Sequence, residues 1–179
     1  MTTAEVLCLA VLNIGMPRAE YACEHMEELV LAAEQNSVRP ELVVSMIYYE
    51  SRWNPKVVSK SSACGLMQVM PKYSGSKKLG LKKLTCKQLK EPITNIKRGT
   101  RIISYWLNQY TRGNERVAVC SYFAGYRCRG KKPNAAGMRY SKKVRKFANK
   151  IKREMDKQER CKLMMIEDDD YYGDPPCDC

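Results

Sequence analysis

The residue best placed to do acid–base chemistry is Glu50, because the chain around it is poor in acids. Between residues 51 and 153 the only carboxylates are Glu91 and Glu115, and the first Asp is Asp156. Glu50 follows an apolar, aromatic segment and precedes Trp53, so its neighbours should exclude water and raise its pKa. A general acid working near neutral pH needs such a raised pKa. We predict this role for Glu50, against the plainer alternative of a surface Glu in a last helical turn.

The element that must position Glu50 is a helix predicted from Pro40 to about Arg52. Pro40 suits the first helical position, Glu41 complements the helix dipole, and Asn54-Pro55 ends the helix. The segment is apolar on almost all sides, which is typical of a helix in the middle of a core. Glu50 therefore lies at the edge of the predicted core.

The rest of the chain is also predicted to be helical, which makes the fold class all-α, or α with a minor hairpin. Apolar residues recur at helical spacing in most segments, and few stretches alternate as strands do. Further helices are predicted over residues 6–13, 21–35, 92–110, 115–124 and 137–158, with a loop containing short helices over 53–90. We divide the chain into an N-terminal helical arm (1–20), one domain (21–160) and an acidic tail (161–179).

Five motifs in sequence order carry a resemblance. They are Glu50-Ser51-Arg52-Trp53-Asn54-Pro55, Gly65-Leu66-Met67-Gln68-Val69-Met70-Pro71, Asn95 with Gly99, the Ala118–Gly125 segment and the Tyr140–Val144 segment. Together they resemble the soluble lytic transglycosylases, whose catalytic domain is lysozyme-like. The resemblance covers about residues 26 to 150. It implies a lysozyme-like helical domain with a groove for the glycan strands of bacterial peptidoglycan.

The resemblance implies a mechanism with one carboxylate, Glu50. It would protonate the oxygen of the β-1,4 bond between N-acetylmuramic acid and N-acetylglucosamine, with the muramoyl N-acetyl group assisting at C1. It would then take the proton of the sugar's 6-hydroxyl, which closes a 1,6-anhydro ring. The residues agree with this, since ordinary glycosidases use two carboxylates and no second one is near the motif. An intramolecular hydroxyl needs no activated water.

The resemblance also implies five substrate-binding residues. Ser59 matches the family serine near the catalytic Glu, although it could simply cap a loop. Met67 and Gln68 match groove positions; the Gln amide suits an N-acetyl group, whereas Met67 could equally be core. Tyr122 matches the tyrosine whose hydroxyl faces the catalytic carboxylate, or it is a buried ring bonded to the backbone. Tyr140 is a further groove candidate.

Two positions depart from the family's pattern. Where the family has Tyr-Asn-Ala-Gly, this chain has Tyr122-Phe123-Ala124-Gly125, and a family Gly before Ala63 is replaced by Ser62. Phe123 puts one hydrogen bond to the substrate or to a loop in doubt. Neither change removes the catalytic carboxylate.

Charge is divided into three blocks. Net charge is −6 over residues 1–50, +25 over 51–166 and −6 over 167–179, within an overall +13. A basic body favours an anionic polymer partner. Basic charge leaves a nucleic-acid-binding or structural virion module as one alternative to a transglycosylase. The other alternative, a hydrolytic lysozyme of the goose type, rests on the similar fold that the resemblance implies. No nucleic-acid motif is recognisable, so no nucleic-acid partner is expected. The acidic tail is predicted to be a flexible arm that could lie across the basic face.

The nine cysteines are predicted to be thiols made in a reducing cytosol. Their number is odd, no Cys-x-x-Cys occurs, and the lone His25 has no ligand-like neighbours. For the same reasons we expect no metal site and no cofactor.

The apolar stretch from Val6 to Ile14 is predicted to be a core helix rather than a secretion signal. No Lys or Arg precedes it, and no convincing cleavage site follows it. No apolar run is long enough to span a membrane. Delivery to the wall would then fall to a bacteriophage, as an endolysin or a virion component, with the protein in the virion or in the host cytoplasm before release. A bacterial secretion or conjugation system is the alternative. Other virion proteins would be possible partners.

Overall fold

The computed structural model describes residues 1–77 and 80–167, with side chains as far as residue 162. Eight α-helices lie within the described part. Their bounds are α1 Thr3–Asn13, α2 Ala19–Cys23, α3 Met26–Gln35, α4 Pro40–Ser51, α5 Cys86–Leu89, α6 Pro92–Ser104, α7 Glu115–Ala124 and α8 Ala135–Glu167. A π-helical segment, Tyr105–Tyr110, continues α6, and short 3-10 turns cover Pro71–Tyr73 and Gly125–Cys128.

Local signals in the sequence fix several helix starts. Thr2 and Thr85 each form a capping box. The Thr hydroxyl accepts from the backbone N–H three residues on, and the side chain of that residue accepts from the backbone N–H of the Thr. Asn114 caps α7 by accepting from the N–H of Val117 at 3.1 Å. Pro40 occupies the first turn of α4, as predicted.

The centre of the core is α4. Its side chains from Leu42 to Val44, together with Met46 and Ile47, are fully buried. The long helix α8 packs along α4, α1 and α7, and α3 packs against both α4 and α6. The all-α prediction is confirmed: the described residues form no strand, only isolated bridges such as Val58 with Cys64.

The largest departures from the predicted helix bounds occur in three helices. The helix predicted over residues 21–35 is divided into α2 and α3, with a break at Glu24 and His25. The helix predicted to reach Tyr110 widens into π geometry after Ser104, and the N–H of Thr111 bonds to the carbonyl of Trp106, five residues back. The last helix is longer than predicted and reaches residue 167.

The N-terminal stretch packs in the same core as the rest of the molecule. Leu7, Ala10 and Val11 on α1 are fully buried, and α1 contacts α2, α3 and α8. The prediction of a core helix over residues 6–14 is therefore confirmed, while the domain boundaries at residues 20 and 160 stay predictions. No helix in the described part of the chain is long and apolar enough to cross a membrane.

The prediction that the cysteines are thiols is wrong for six of them. Disulfides join Cys8 to Cys23, Cys64 to Cys86, and Cys120 to Cys128, whereas Cys161 is a buried thiol. The partners are 15, 22 and 8 residues apart, so no local motif announces them. Helix packing brings them together, which a search for Cys-x-x-Cys cannot detect.

Residues 161–167 of the predicted acidic tail (161–179) belong to helix α8, and Cys161 is buried, so this part is not an irregular arm. The predicted contact with the basic face concerns mainly residues that lie outside the described part of the chain. The backbone is described to Glu167, and residues 168–179 fall beyond it.

Candidate active site

Glu50 lies one residue before the end of α4 and is half-buried. The helix ends because Arg52 and Trp53 both adopt left-handed backbone conformations, with φ of 53° and 58°. This sharp exit turns the Trp53 side chain into the core, where it is fully buried. The exit fixes the last turn of α4, and with it the place of the Glu50 carboxyl at the rim of the core.

One short hydrogen bond holds the Glu50 carboxyl. The hydroxyl of Tyr140, on α8, donates to Glu50 Oε1 at 2.6 Å. Burial and the nearby Glu50 charge raise the pKa of Tyr140 well above its ordinary value of 10. Tyr140 therefore remains a donor throughout the pH range in which a carboxyl group titrates.

Burial raises the pKa of Glu50 from 4.5 to about 7, and the hydrogen bond from Tyr140 opposes that rise. Desolvation is the larger effect, since it disfavours the charged form. At neutral pH both protonation states of Glu50 are populated. The same group can then give a proton in one step and accept one in the next, as the sequence predicts for a general acid.

Glu115 and Glu91, the only carboxylates between residues 51 and 153, do not share the environment of Glu50. Glu115 is engaged by Arg39, at 2.8 Å, and by Arg145, at 3.3 Å. Glu91 is an exposed residue at the start of α6. Glu115 is therefore committed to two ion pairs, and Glu91 faces solvent.

The prediction that the Tyr122 hydroxyl bonds to Glu50 is wrong. Tyr122, on α7, donates to the main-chain oxygen of Met67 at 2.8 Å, and the bond to Glu50 comes from Tyr140 instead. Tyr122 is still close enough to Glu50 to interact with its charge. Burial, the larger cause, and the Glu50 charge, the smaller one, raise the pKa of Tyr122 well above 10. Its plainer alternative, a ring whose hydroxyl is bonded to the backbone, describes the structure.

The Met67 side chain is core rather than groove, which corrects its predicted role. It is fully buried and packs so closely on Gly99 that a Cβ at Gly99 would come within 2.7 Å of the Met67 Cβ. The amide of Gln68 donates to the carbonyls of Gly65, at 2.9 Å, and Val57, at 3.2 Å. These bonds stabilise the loop on which Gln68 lies.

Ser59 also has a part in the loop. Its hydroxyl oxygen accepts from the N–H of Ala63 at 3.0 Å, and the side chain is half-buried. The loop-capping alternative is therefore present in the structure. A contact of Ser59 with substrate stays a prediction.

The structure adds Asn95 as the residue that shapes the site loop. Asn95 is fully buried in α6; its amide donates to the carbonyls of Cys64, at 2.8 Å, and Leu89, at 2.6 Å, and its oxygen accepts from the N–H of Met67, at 2.7 Å. The sequence marks Asn95 only as part of a motif. A polar side chain beside Ile96, within the apolar stripe of α6, was the signal for this role.

Phe123, the departure from the family's Asn, lies beside the site. It is 53% exposed on the last turn of α7, and its ring stacks on Tyr140 with centroids 5.1 Å apart and planes inclined by 26°. The exposed aromatic ring is thus in contact with the residue that holds the Glu50 carboxyl.

Comparison with protein families decides what this arrangement belongs to. The model of the family described as "Transglycosylase SLT domain" matches residues 29–145. The chain belongs to this family. The match includes α4 with Glu50, the Asn95 helix and the start of α8.

Individual relatives agree with this SLT domain assignment. The chain is 37% identical over 89 residues to an endo-type membrane-bound lytic murein transglycosylase A of Klebsiella pneumoniae, covering 48% of this chain and 44% of that one. It is 42% identical over 83 residues to a soluble lytic murein transglycosylase of Salmonella typhimurium, covering 42% of this chain and 12% of that one. The SLT domain protein therefore spans less than half the length of these relatives.

Solved structures share the fold. The lytic transglycosylase Slt of Pseudomonas aeruginosa has a TM-score of 0.65 at 19% identity, over 84% of this chain and 30% of that one. A 70-kDa soluble lytic transglycosylase in complex with bulgecin A also gives 0.65, at 22% identity, over 83% and 30%. The lysozyme-like fold is thereby confirmed.

The arrangement in this SLT domain suits proton transfer by one group. A carboxyl with a pKa of about 7 is held by a permanent donor and bordered by aromatic rings. Among the described residues, no group of three or more His, Cys, Asp and Glu side chains is placed to hold a metal ion.

Proposed function

We propose that this SLT domain is a peptidoglycan lytic transglycosylase. It cleaves the β-1,4 bond between N-acetylmuramic acid and N-acetylglucosamine and leaves a 1,6-anhydro end. The observation that carries the proposal is Glu50, half-buried, held by Tyr140, and with a pKa raised to about 7. Family membership supports the same conclusion.

The mechanism follows from the two protonation states of Glu50. In its neutral form the carboxyl protonates the departing glycosidic oxygen while the bond to C1 breaks. The resulting carboxylate then removes the proton from the 6-hydroxyl of the same muramoyl unit, whose oxygen closes the ring on C1. Because one proton is given and one regained, Glu50 is ready for another cycle. The reaction requires no second carboxylate and consumes no water.

Substrate contacts are part of the same proposal. Tyr140 borders the carboxyl that reacts, so its ring lies against the sugar that Glu50 protonates. Ser59 and Gln68 are half-buried on the loop after α4, where their remaining hydrogen-bonding capacity faces the glycan. Met67 and Tyr122 act indirectly, through the bond from the Tyr122 hydroxyl to the Met67 carbonyl.

The experiment that tests the proposal compares Glu50→Gln with Glu91→Gln on purified peptidoglycan. The first change removes the proton donor but keeps an acceptor for Tyr140. The second removes an exposed carboxyl from the same basic part of the chain. General acid catalysis is worth about 100- to 10,000-fold. We expect the Glu50 variant to lose solubilising activity by at least 100-fold and the Glu91 variant to retain it; more than a tenth of wild-type activity in the Glu50 variant would refute the assignment.

We also propose a bacteriophage setting, in which the enzyme serves wall penetration or lysis. The core position of α1 bears on delivery only in that residues 6–14 form part of the fold rather than a removable signal. Three disulfides favour a protein that matures or acts in an oxidising compartment such as the periplasm, where the wall lies. Finding the protein in purified virions supports carriage by the particle; finding it only in the periplasm of uninfected cells contradicts the phage setting.

A further inference from the structure

We propose that Phe123 is a positioning residue for this reaction: its ring, stacked on Tyr140, holds the tyrosine hydroxyl on the Glu50 carboxyl. The proposal rests on the proposed function for its kinetic consequences. Its geometric content is independent of what the enzyme cleaves.

Three side chains from three helices form a continuous chain of contacts. Phe123, on α7, stacks on Tyr140, on α8, with ring centroids 5.1 Å apart. Tyr140 in turn donates to Glu50, on α4, at 2.6 Å. The stack thus reaches the reacting carboxyl through one intermediate ring.

The stack restrains the motion that would break this hydrogen bond. A tyrosine ring turns about the Cα–Cβ bond and about the Cβ–Cγ bond. Rotation about Cα–Cβ swings the hydroxyl oxygen away from its partner, whereas rotation about Cβ–Cγ turns the ring plane and leaves the oxygen in place. A near-parallel neighbour, inclined by 26°, limits both rotations, because the two faces must stay in contact. Phe123 is 53% exposed, so the general core does not require it, and its contact with Tyr140 is a local one.

The replacement of an amide by a ring explains how the site tolerates its departure from the family pattern. At a position where the resemblance implies an Asn, this chain has no side-chain hydrogen bond to offer. It supplies an apolar face instead. The residue beside it, Tyr122, keeps its own bond to the Met67 carbonyl, so the two neighbours on α7 have separate tasks.

The groups that face Glu50 make the effect measurable. Tyr140 on α8 and Tyr122 on α7 interact with its carboxyl, and both stay neutral, because their pKa values lie well above 10. Of these two, Tyr140 donates the hydrogen bond that lowers the Glu50 pKa. Releasing Tyr140 should therefore raise the Glu50 pKa further. A threefold weakening of the bond corresponds to about half a pH unit.

The test uses the full-length protein with Phe123→Leu, Phe123→Tyr as the conservative rescue, and Tyr73→Leu as the control. Tyr73 is an exposed ring, at 66%, in the 3-10 turn after the site loop, and the Lys72 ammonium group lies 4.8 Å from the centre of the ring. Two readouts are taken. Carboxyl-carbon NMR titration follows the Glu50 pKa without any substrate, and steady-state kinetics with soluble glycan strands gives kcat and KM separately.

We expect Phe123→Leu to raise the Glu50 pKa by about 0.3 to 1 unit and to lower kcat about three- to tenfold with little change in KM. Phe123→Tyr should restore both values, and Tyr73→Leu should change neither. An unchanged Glu50 pKa in folded Phe123→Leu overturns the proposal. So does a rise in KM alone, which would make Phe123 a sugar-stacking surface instead. If the wild-type enzyme cleaves no glycan, the proposed function fails, whereas the NMR titration still decides the role of Phe123.

Discussion

Replacing Glu50 by Gln should make the protein more stable at neutral and alkaline pH, although we expect the same change to remove activity. In the folded protein burial raises the Glu50 pKa from 4.5 to about 7. The folded state therefore binds this proton more tightly than the unfolded state does. Linkage then fixes the sign: Glu50 does not oppose folding below about pH 4.5, and its cost grows as the pH rises to about 7, where it levels off.

The size of the effect follows from the shift. One pKa unit corresponds to about 1.4 kcal/mol, so a rise from 4.5 to about 7 gives an upper value of roughly 3 kcal/mol. Glu50 is half-buried, so solvent screening reduces this, and we expect about 2 kcal/mol at pH 8. Gln avoids the cost because it carries no charge, and its amide oxygen can still accept from Tyr140. Active sites commonly trade stability for function in this way.

Urea unfolding of wild-type and Glu50→Gln protein at pH 4.5 and pH 8 provides the assay. The unfolding free energy of the variant minus that of the wild type should be small at pH 4.5. At pH 8 the same difference should be about 2 kcal/mol larger than at pH 4.5, in favour of the variant. Glu91→Gln, at an exposed carboxyl, should show no comparable pH dependence. A Glu50 variant whose advantage is the same at both pH values, or absent at pH 8, would refute the reasoning about desolvation.

Three further predictions concern the framework around the site. Asn95→Ala should destabilise the protein by about 2–4 kcal/mol in urea unfolding, because the buried N–H of Met67 and the buried carbonyl of Leu89 lose the Asn95 bond, while the carbonyl of Cys64 keeps only its bond from Val69. Asn108→Ala, at an exposed residue, should cost under about 1 kcal/mol, and equal effects would contradict the role of Asn95. Gly99→Ala should lower the unfolding free energy by about 1–3 kcal/mol through overlap with Met67, and an unchanged melting temperature would show that the contact relaxes freely. Alkylation under denaturing, non-reducing conditions should label at most three of the nine cysteines by mass spectrometry, since six are paired, and labelling of more than three would contradict the disulfides.

The sequence was sufficient for the features that depend on local chemistry. Pro40 and the apolar run after it predicted α4, and the surroundings of Glu50 predicted a raised pKa. Each of these depends on residues within a few positions of one another. Periodicity and capping determine such features almost alone.

The sequence failed where distant segments meet. Which tyrosine hydroxyl reaches Glu50 depends on how α7 and α8 pack against α4, and the motif assigned to Tyr122 the bond that Tyr140 makes. The disulfides depend on the same kind of packing, as Cys64 meets Cys86 across 22 residues. The burial of Met67 could not be told from groove exposure, because a methionine suits both environments.

The central claim is that one carboxyl, Glu50, breaks the glycan without a second carboxylate and without water. Mass spectrometry of the soluble products from purified peptidoglycan tests it most directly, because a 1,6-anhydro end is lighter than a hydrolysed reducing end by one water. Digestion in water enriched in oxygen-18 makes the distinction independent of product assignment. We predict anhydro-muropeptides that carry no oxygen-18 at C1, whereas reducing-end products labelled with oxygen-18 would show a hydrolase and contradict the account.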